Sequence, residues 1–157
     1  DLVTGVQTCA LPIFFGVFGK WVPESHGRTP RHDLWRLNGL VSCSEWTGVK
    51  LSVLLDEVGI DPSSSWLIAE GADAASLVRS IPLEKDMDDV LIALYQNGER
   101  IRPEQGYPMR LFVPGWEGNL SVKWLHRLKV TQQPAQSRSE TATYTDLAPN
   151  GKAEQFT

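Results

Sequence analysis

From Thr47 onward, apolar and polar positions alternate in short blocks that predict a series of brief elements. Leu51, Leu54, Leu55 and Val58 recur at helical spacing, with Ser52 placed to cap the start and Gly59 where a helix end favours positive φ. Asp61-Pro62 then enforces a turn. Trp66-Leu67-Ile68-Ala69 reads as a short buried strand ended by a bend at Gly71-Ala72-Asp73. Leu77 to Ile81 is a second extended piece, stopped by Pro82, and Leu83 to Met87 a single helical turn. Val90 to Tyr95 is a continuous apolar strand, and Asn97-Gly98 after it carries the hairpin signal of a type I′ turn. Met109 to Val113 and Val122 to Val130 complete the set. In the last, Val122, Trp124, Leu128 and Val130 alternate with Lys123, Arg127 and Lys129, which predicts one buried and one basic face.

Scattered strands with few helices predict an α+β fold of mixed sheets and short helices, not a doubly wound α/β one. Residues 1–13 lack a charged region ahead of their apolar patch and a small-residue cleavage site after it, so they fit no secretory signal. They resemble translated adapter sequence and are read as a non-native leader; an edge strand running into Phe14-Phe15-Gly16-Val17-Phe18 is the alternative. Residues 14–131 are then a partial domain and residues 132–157 a polar linker toward a missing further domain. Within the first of these, residues 20–38 are rich in Pro, Gly, His and Arg and predict a long loop, functional or disordered.

Composition narrows the chemistry. With 157 residues there is room for one ordinary domain, and 41% apolar residues suffice for a core. A net charge of -4 argues against a general nucleic-acid binder, which needs a basic surface to displace counterions. No uncharged apolar run approaches the about 20 residues of a membrane-spanning helix. Two cysteines make neither a disulfide framework nor a four-cysteine metal site, and His26, His32 and His126 lack ligand spacing. His32-Asp33 and the acidic stretch Glu84, Asp86, Asp88, Asp89 read as solvated surface, since neither pattern brings convergent groups to one point. No nucleophile elbow, phosphate-binding loop or dinucleotide glycine fingerprint occurs.

One segment stands apart, Gln105-Gly106-Tyr107-Pro108-Met109-Arg110 and on through Pro114-Gly115-Trp116-Glu117-Gly118-Asn119-Leu120-Ser121-Val122-Lys123-Trp124. It sets a lone arginine within an apolar strand, then a glycine-containing loop, then a lysine. A buried guanidinium requires an anionic partner. Gly115 and Gly118 let backbone N–H groups approach that partner, and an arginine fork with a lysine point charge suits phosphate. An internal salt bridge from Arg110 to one of the chain's carboxylates explains the same pattern equally well.

Together with Cys43-Ser44-Glu45-Trp46-Thr47-Gly48-Val49-Lys50-Leu51, Ala69-Glu70-Gly71-Ala72-Asp73, Ser80-Ile81-Pro82-Leu83-Glu84-Lys85 and Tyr95-Gln96-Asn97-Gly98-Glu99, this segment resembles the molybdopterin-binding domain of the sulfite oxidase family, over about residues 38 to 157. The likeness is greatest to bacterial sulfite dehydrogenases of the sulfur-oxidising system. It implies a molybdenum-molybdopterin cofactor, oxidation of sulfite or a related small oxyanion, and transfer of electrons to a c-type cytochrome. Carried over by position, pterin contacts fall on Asp73, Gln105, Arg110, Ser121, Val122 and Lys123. Many family members have His where Gln105 stands; an amide still donates and accepts hydrogen bonds but carries no charge. Substrate-pocket aromatics fall on Tyr144 and, with a one-residue difference in spacing, on Trp35.

The resemblance also implies what to expect elsewhere in the parent protein. The family ligates molybdenum with a cysteine in an upstream Glu-Cys-x-Gly-Asn block that this sequence lacks; Cys43 lies in a different motif and reads as a small buried hydrophobe. The metal ligand, the substrate arginines beside it and a C-terminal dimerisation domain are therefore expected beyond this chain, which alone is expected to be inactive. The parent is expected to be a periplasmic homodimer or heteromer, with haem on a partner. A sulfoxide reductase of the same fold and a non-catalytic module binding an anion or a protein are the alternatives.

Overall fold

The computed structural model describes residues 3–8, 44–147, 151 and 153–155. The expected loop at 20–38, with His26, His32 and Trp35, lies outside the described residues, as do Cys9 and Cys43. Among the described residues, ten strands and two short α-helices follow in the order β1 (Val3–Thr8), β2 (Ser44–Lys50), α1 (Leu51–Val58), β3 (Trp66–Gly71), β4 (Val78–Pro82), α2 (Leu83–Asp86), β5 (Leu91–Gln96), β6 (Glu99–Arg100), β7 (Arg110–Phe112), β8 (Leu125–Thr131), β9 (Thr145–Leu147) and β10 (Ala153–Gln155). Every strand pairing among them is antiparallel. This is the expected α+β architecture of mixed sheets with few short helices.

Two sheets build the body. One runs β1-β2-β5-β6, with β7 also paired to β5; the other runs β4-β3-β8. Ile92 and Leu111 from the first, with Val113 just after β7, meet Leu67, Ala69, Ile81 and Leu125 from the second, with Leu51 and Leu55 of α1 closing the core. Leu91 and Ala93 point the other way, into a smaller cluster with Trp46, Ile101 and Phe112. β5 is thus buried on both faces, which is why its sequence is a continuous apolar run and not an alternation. The turn after it forms as expected, with Asn97 at φ 52° and Gly98 at φ 78°. Asn97 also ties the hairpin to β2, donating its backbone N–H to the Glu45 carbonyl (2.8 Å) while its side-chain oxygen accepts from the Glu45 N–H (2.9 Å).

Four expectations need correction, the first being the solvated acidic face at 84–89, since Asp86 is wholly buried where α2 packs against β3 and β4. In α1 only Leu51 and Leu55 are buried; Leu54 and Val58 are exposed, Val58 at 74%. The helix begins directly from β2, its first residue donating from Leu51 N–H to the Val90 carbonyl, so Ser52 lies inside it and caps nothing. Gly59 does end it, at φ 68°, donating to Leu55 (3.1 Å). The last large strand starts at Leu125, not Val122, because Trp124 adopts φ 49° and breaks the extended run. A register shift opposite Glu70 and Gly71 then brings Leu125, an odd-numbered position, into the core.

Gly48 is where the first sheet tolerates no side chain. A Cβ there would lie 2.0 Å from the Ile92 carbonyl oxygen and 2.8 Å from the Ala93 Cα, both backbone atoms of the central strand. Gly48→Ala is expected to destabilise the protein by about 3 kcal/mol through forced separation of β2 from β5. A melting temperature within a degree of the parent's would refute this.

Candidate cofactor site

Strand alternation decides where Arg110 goes. Arg110 and Phe112 share one face of β7 while Leu111 turns to the main core, so the guanidinium enters the Trp46 and Phe112 side of the sheet. The rings of Trp46 and Phe112 stack at 4.9 Å, and the Arg110 Cζ lies 5.0 Å from the Trp46 ring centroid. Arg110 is 5% exposed. Its Nη2 donates to the Ser121 carbonyl (2.9 Å) and its Nη1 reaches the Gln105 carbonyl (3.3 Å) and the Gln105 side-chain oxygen (3.5 Å). Its Nε has no hydrogen-bond partner among the described residues, and no carboxylate there pairs with it. The internal salt bridge left open by the sequence is therefore not formed among them. Burial lowers the Arg110 pKa to about 10, which still leaves it cationic at neutral pH.

Lys123 stands beside it. Burial first, and then the charge of Arg110, pull the Lys123 ammonium below its ordinary value, with Glu104 acting in the opposite direction. Its Nζ donates to the Glu104 carbonyl (2.6 Å). Two glycines let the Lys123 backbone approach. A Cβ on Gly71 would come within 2.7 Å of the Lys123 carbonyl oxygen, and one on Gly106, at φ 105°, within 2.9 Å of the Lys123 Cα. Trp124 N–H donates to Gly106 (3.3 Å) and Ala72 N–H to Trp124 (2.9 Å), so the segments at 71–73, 104–110 and 121–124 are stitched together. Lys123 itself precedes β8 and is not part of a strand.

The remaining expected contacts divide. Gln105, Arg110, Ser121 and Lys123 are joined through these hydrogen bonds. Ser121 is nearly buried, and its hydroxyl accepts from the Val113 N–H (3.1 Å). Val122 sends its side chain into the main core, and both its backbone groups are used internally, with Leu120 and Leu111. Asp73 closes its own turn, one carboxylate oxygen accepting from the Leu77 N–H (3.1 Å). Tyr144 sits elsewhere, at the end of a π-helical turn (Ser139–Thr143), with the Arg79 guanidinium 5.1 Å from its ring. A hollow of about 310 Å³ lined by Gln96, Asn97, Glu99, Arg100, Arg102 and Gln105 meets the Arg110 cluster at Gln105. Reasoning from sequence missed Trp46 as the platform beneath Arg110 and the Glu104 carbonyl as the anchor of Lys123. It also missed Arg79, although a lone arginine in an apolar strand was the very signal that singled out Arg110.

The sequence profile described as "Oxidoreductase molybdopterin binding domain" matches residues 24–139. The chain belongs to this family. Across its whole length it superposes on the crystal structure of the sulfane dehydrogenase SoxCD from Paracoccus pantotrophus with a TM-score of 0.82 and 44% identity, covering 39% of that chain. It is 34% identical over 120 residues to mitochondrial sulfite oxidase of Drosophila melanogaster, covering 71% of this chain and 21% of the relative. It is 35% identical over 113 residues to an NADH nitrate reductase of Ulva prolifera, covering 63% of this chain and 13% of the relative. The chain thus spans about a fifth or less of these two curated relatives.

The family's cofactor is molybdopterin carrying molybdenum, and the residues present fit its anionic end. A nearly buried arginine with an orphaned Nε, an adjacent lysine and no paired carboxylate among the described residues make a local excess of positive charge that an anion would neutralise. Among the described residues no group of three or more His, Cys, Asp or Glu is placed to hold a metal ion, and no helix is long and apolar enough to cross a membrane.

Proposed function

We propose that this chain is the cofactor-gripping part of a longer molybdenum enzyme that oxidises sulfite, or a related small sulfur oxyanion, and passes the electrons to a c-type cytochrome in the periplasm. The observation that carries this reading is the Arg110 and Lys123 pair, two neighbouring cations held by neutral carbonyl and amide oxygens and, among the described residues, by no ion pair. The arginine fork grips phosphate oxygens and the lysine adds a mobile point charge. Gln105 and the Ser121 hydroxyl orient the ligand by hydrogen bonds, and the free oxygen of Asp73 accepts from pterin N–H groups. By family position Tyr144 and Trp35 are assigned to the substrate pocket, the Tyr144 phenol donating to one of the substrate's oxygens. When bound, the cofactor supplies the two-electron step by which sulfite and water become sulfate, two protons and two electrons.

The sulfane dehydrogenase and sulfite oxidase likenesses support a sulfur substrate. The metal-ligating cysteine, the substrate arginines and a dimerisation domain belong to other parts of the parent, so this chain reconstituted alone is expected to show no turnover. The nitrate reductase likeness favours a second reading, a reductase of the same fold. Purified full-length enzyme is expected to contain molybdenum and pterin and to reduce a c-type cytochrome on addition of sulfite or a sulfane-sulfur donor. Oxidation of a reduced dye by nitrate or a sulfoxide, with no activity toward sulfur donors, would establish the reductase. Absence of pterin from the purified protein would leave only a non-catalytic module.

A further inference from the structure

We propose that Arg79 is a positioning residue that fixes the ring of Tyr144 on the substrate side of the site; this rests on the reading of Tyr144 as a substrate-pocket residue. Arg79 lies in β4 and is wholly buried, and its Nε, Nη1 and Nη2 have no hydrogen-bond partner among the described residues. Its Cζ lies 5.1 Å from the centroid of the Tyr144 ring. A guanidinium in that state is costly, and a methionine would fill the volume without the penalty. Burial pulls its pKa below the ordinary arginine value, the fields of Glu140 and then Glu117 oppose that without an ion pair to it among the described residues, and the guanidinium lies over the phenol ring.

The surroundings explain why the charge is there. β4 is an edge strand, and the segment from 135 to 144 covers its open side. Ala135 N–H donates to the Ser80 hydroxyl (2.9 Å), the Ser137 hydroxyl donates to the Val78 carbonyl (2.9 Å), and one oxygen of the buried Glu140 accepts from the Ser80 N–H. The other Glu140 oxygen accepts from the Ser137 N–H (2.8 Å). These bonds hold the start and middle of the segment without any help from Arg79. Tyr144 comes last, its N–H donating to Ser139 (2.9 Å) to close the π-helical turn. Among the described residues, the contact recorded for its ring is the Arg79 cation. Arg79 therefore acts on the orientation of the phenol, while the hydrogen bonds secure the chain.

The test is a double-mutant cycle in the full-length holoenzyme, using Arg79→Met, Arg79→Lys, Tyr144→Phe and the Arg79→Met/Tyr144→Phe double variant. Arg79→Met is expected to lower kcat/KM for the sulfur substrate by roughly 10- to 100-fold, the scale of a misplaced catalytic contact, and Arg79→Lys to restore most of it. In the Tyr144→Phe background, Arg79→Met is expected to cost no more than about twofold, because the phenol it positions is gone. Losses that multiply, or an Arg79→Met enzyme with unchanged kcat/KM beside an impaired Tyr144→Phe enzyme, would overturn the proposal. Near-UV circular dichroism gives a readout independent of turnover: the Tyr144 contribution, defined by difference against Tyr144→Phe, is expected to disappear in Arg79→Met. If Tyr144→Phe leaves turnover intact, the pocket reading of Tyr144 fails. The dichroism then decides the positioning alone, and a Tyr144 signal that persists in Arg79→Met refutes it.

Discussion

Arg110→Met is expected to strip the full-length enzyme of most of its pterin while leaving the polypeptide folded. Removing one partner of a buried, hydrogen-bonded charge pair costs about 2 to 5 kcal/mol of binding, which corresponds to roughly 30- to 5,000-fold in affinity. Folding is expected to change by only about 1 kcal/mol. The substitution forfeits the bonds to the Ser121 and Gln105 carbonyls, but it also removes a nearly buried guanidinium with an orphaned Nε. Arg110→Lys is expected to fall between, since it keeps the charge and loses the fork. Lys123→Met is expected to cost less than Arg110→Met, because Lys123 is only partly buried and solvent already weakens its field. Pterin fluorescence per polypeptide and the melting temperature, measured on the same samples, check both halves of the expectation. Unchanged pterin content in Arg110→Met would remove the physical basis of the proposed cofactor grip.

Asp86→Asn is expected to stabilise the protein at neutral pH. Asp86 is wholly buried at the end of α2, and neither carboxylate oxygen has a hydrogen-bond partner among the described residues. Burial pushes its pKa up to about 8, with the nearby Lys85 charge opposing the rise. The sign follows from proton counting. Between about pH 4 and about pH 8 the folded chain keeps a proton that the unfolded chain releases, so folding loses about 1.4 kcal/mol per pH unit across that window from this group. Below it the carboxyl is neutral in both states and the loss vanishes; above it the loss is complete. At pH 7 the accumulated deficit is on the order of 4 kcal/mol, and an amide side chain does not incur it. Urea titrations of parent and Asp86→Asn from pH 4 to pH 8 are expected to diverge with rising pH and to converge at the acid end. Parallel curves would show that Asp86 finds a partner when ionised.

The family resemblance and most element positions were legible because they depend on local order. Asn97-Gly98 required a turn with two positive φ angles, and the apolar run before it required a strand covered on both faces. Arg110 was conspicuous because an arginine inside an apolar strand contradicts its surroundings. Periodicity said less where the backbone broke it. Trp124, at φ 49°, interrupts the extended run and resets which of the residues after it face inward. Leu54 and Val58 match the helical spacing of Leu51 and Leu55, yet a helix of two turns on the rim of a core buries only the residues directly beneath it.

The sequence by itself therefore determined the positions of β3, β4, β5, β7 and most of β8, the Asn97-Gly98 turn and the presence of an arginine that needs an anion, but not β2, β6, β9 or β10. Only the tertiary structure decided that no carboxylate among the described residues meets Arg110, that Lys123 comes close enough to feel its charge, and that Arg79 and Asp86 are buried while much of α1 is not. The physical reason is that spacing along one element reports which side a residue takes, whereas the partner of a charge is chosen by segments that meet only after folding. Arg110 and Trp46 are brought together by the pairing of β2 and β7 with β5, and Arg79 and Tyr144 by a segment laid along the edge of β4.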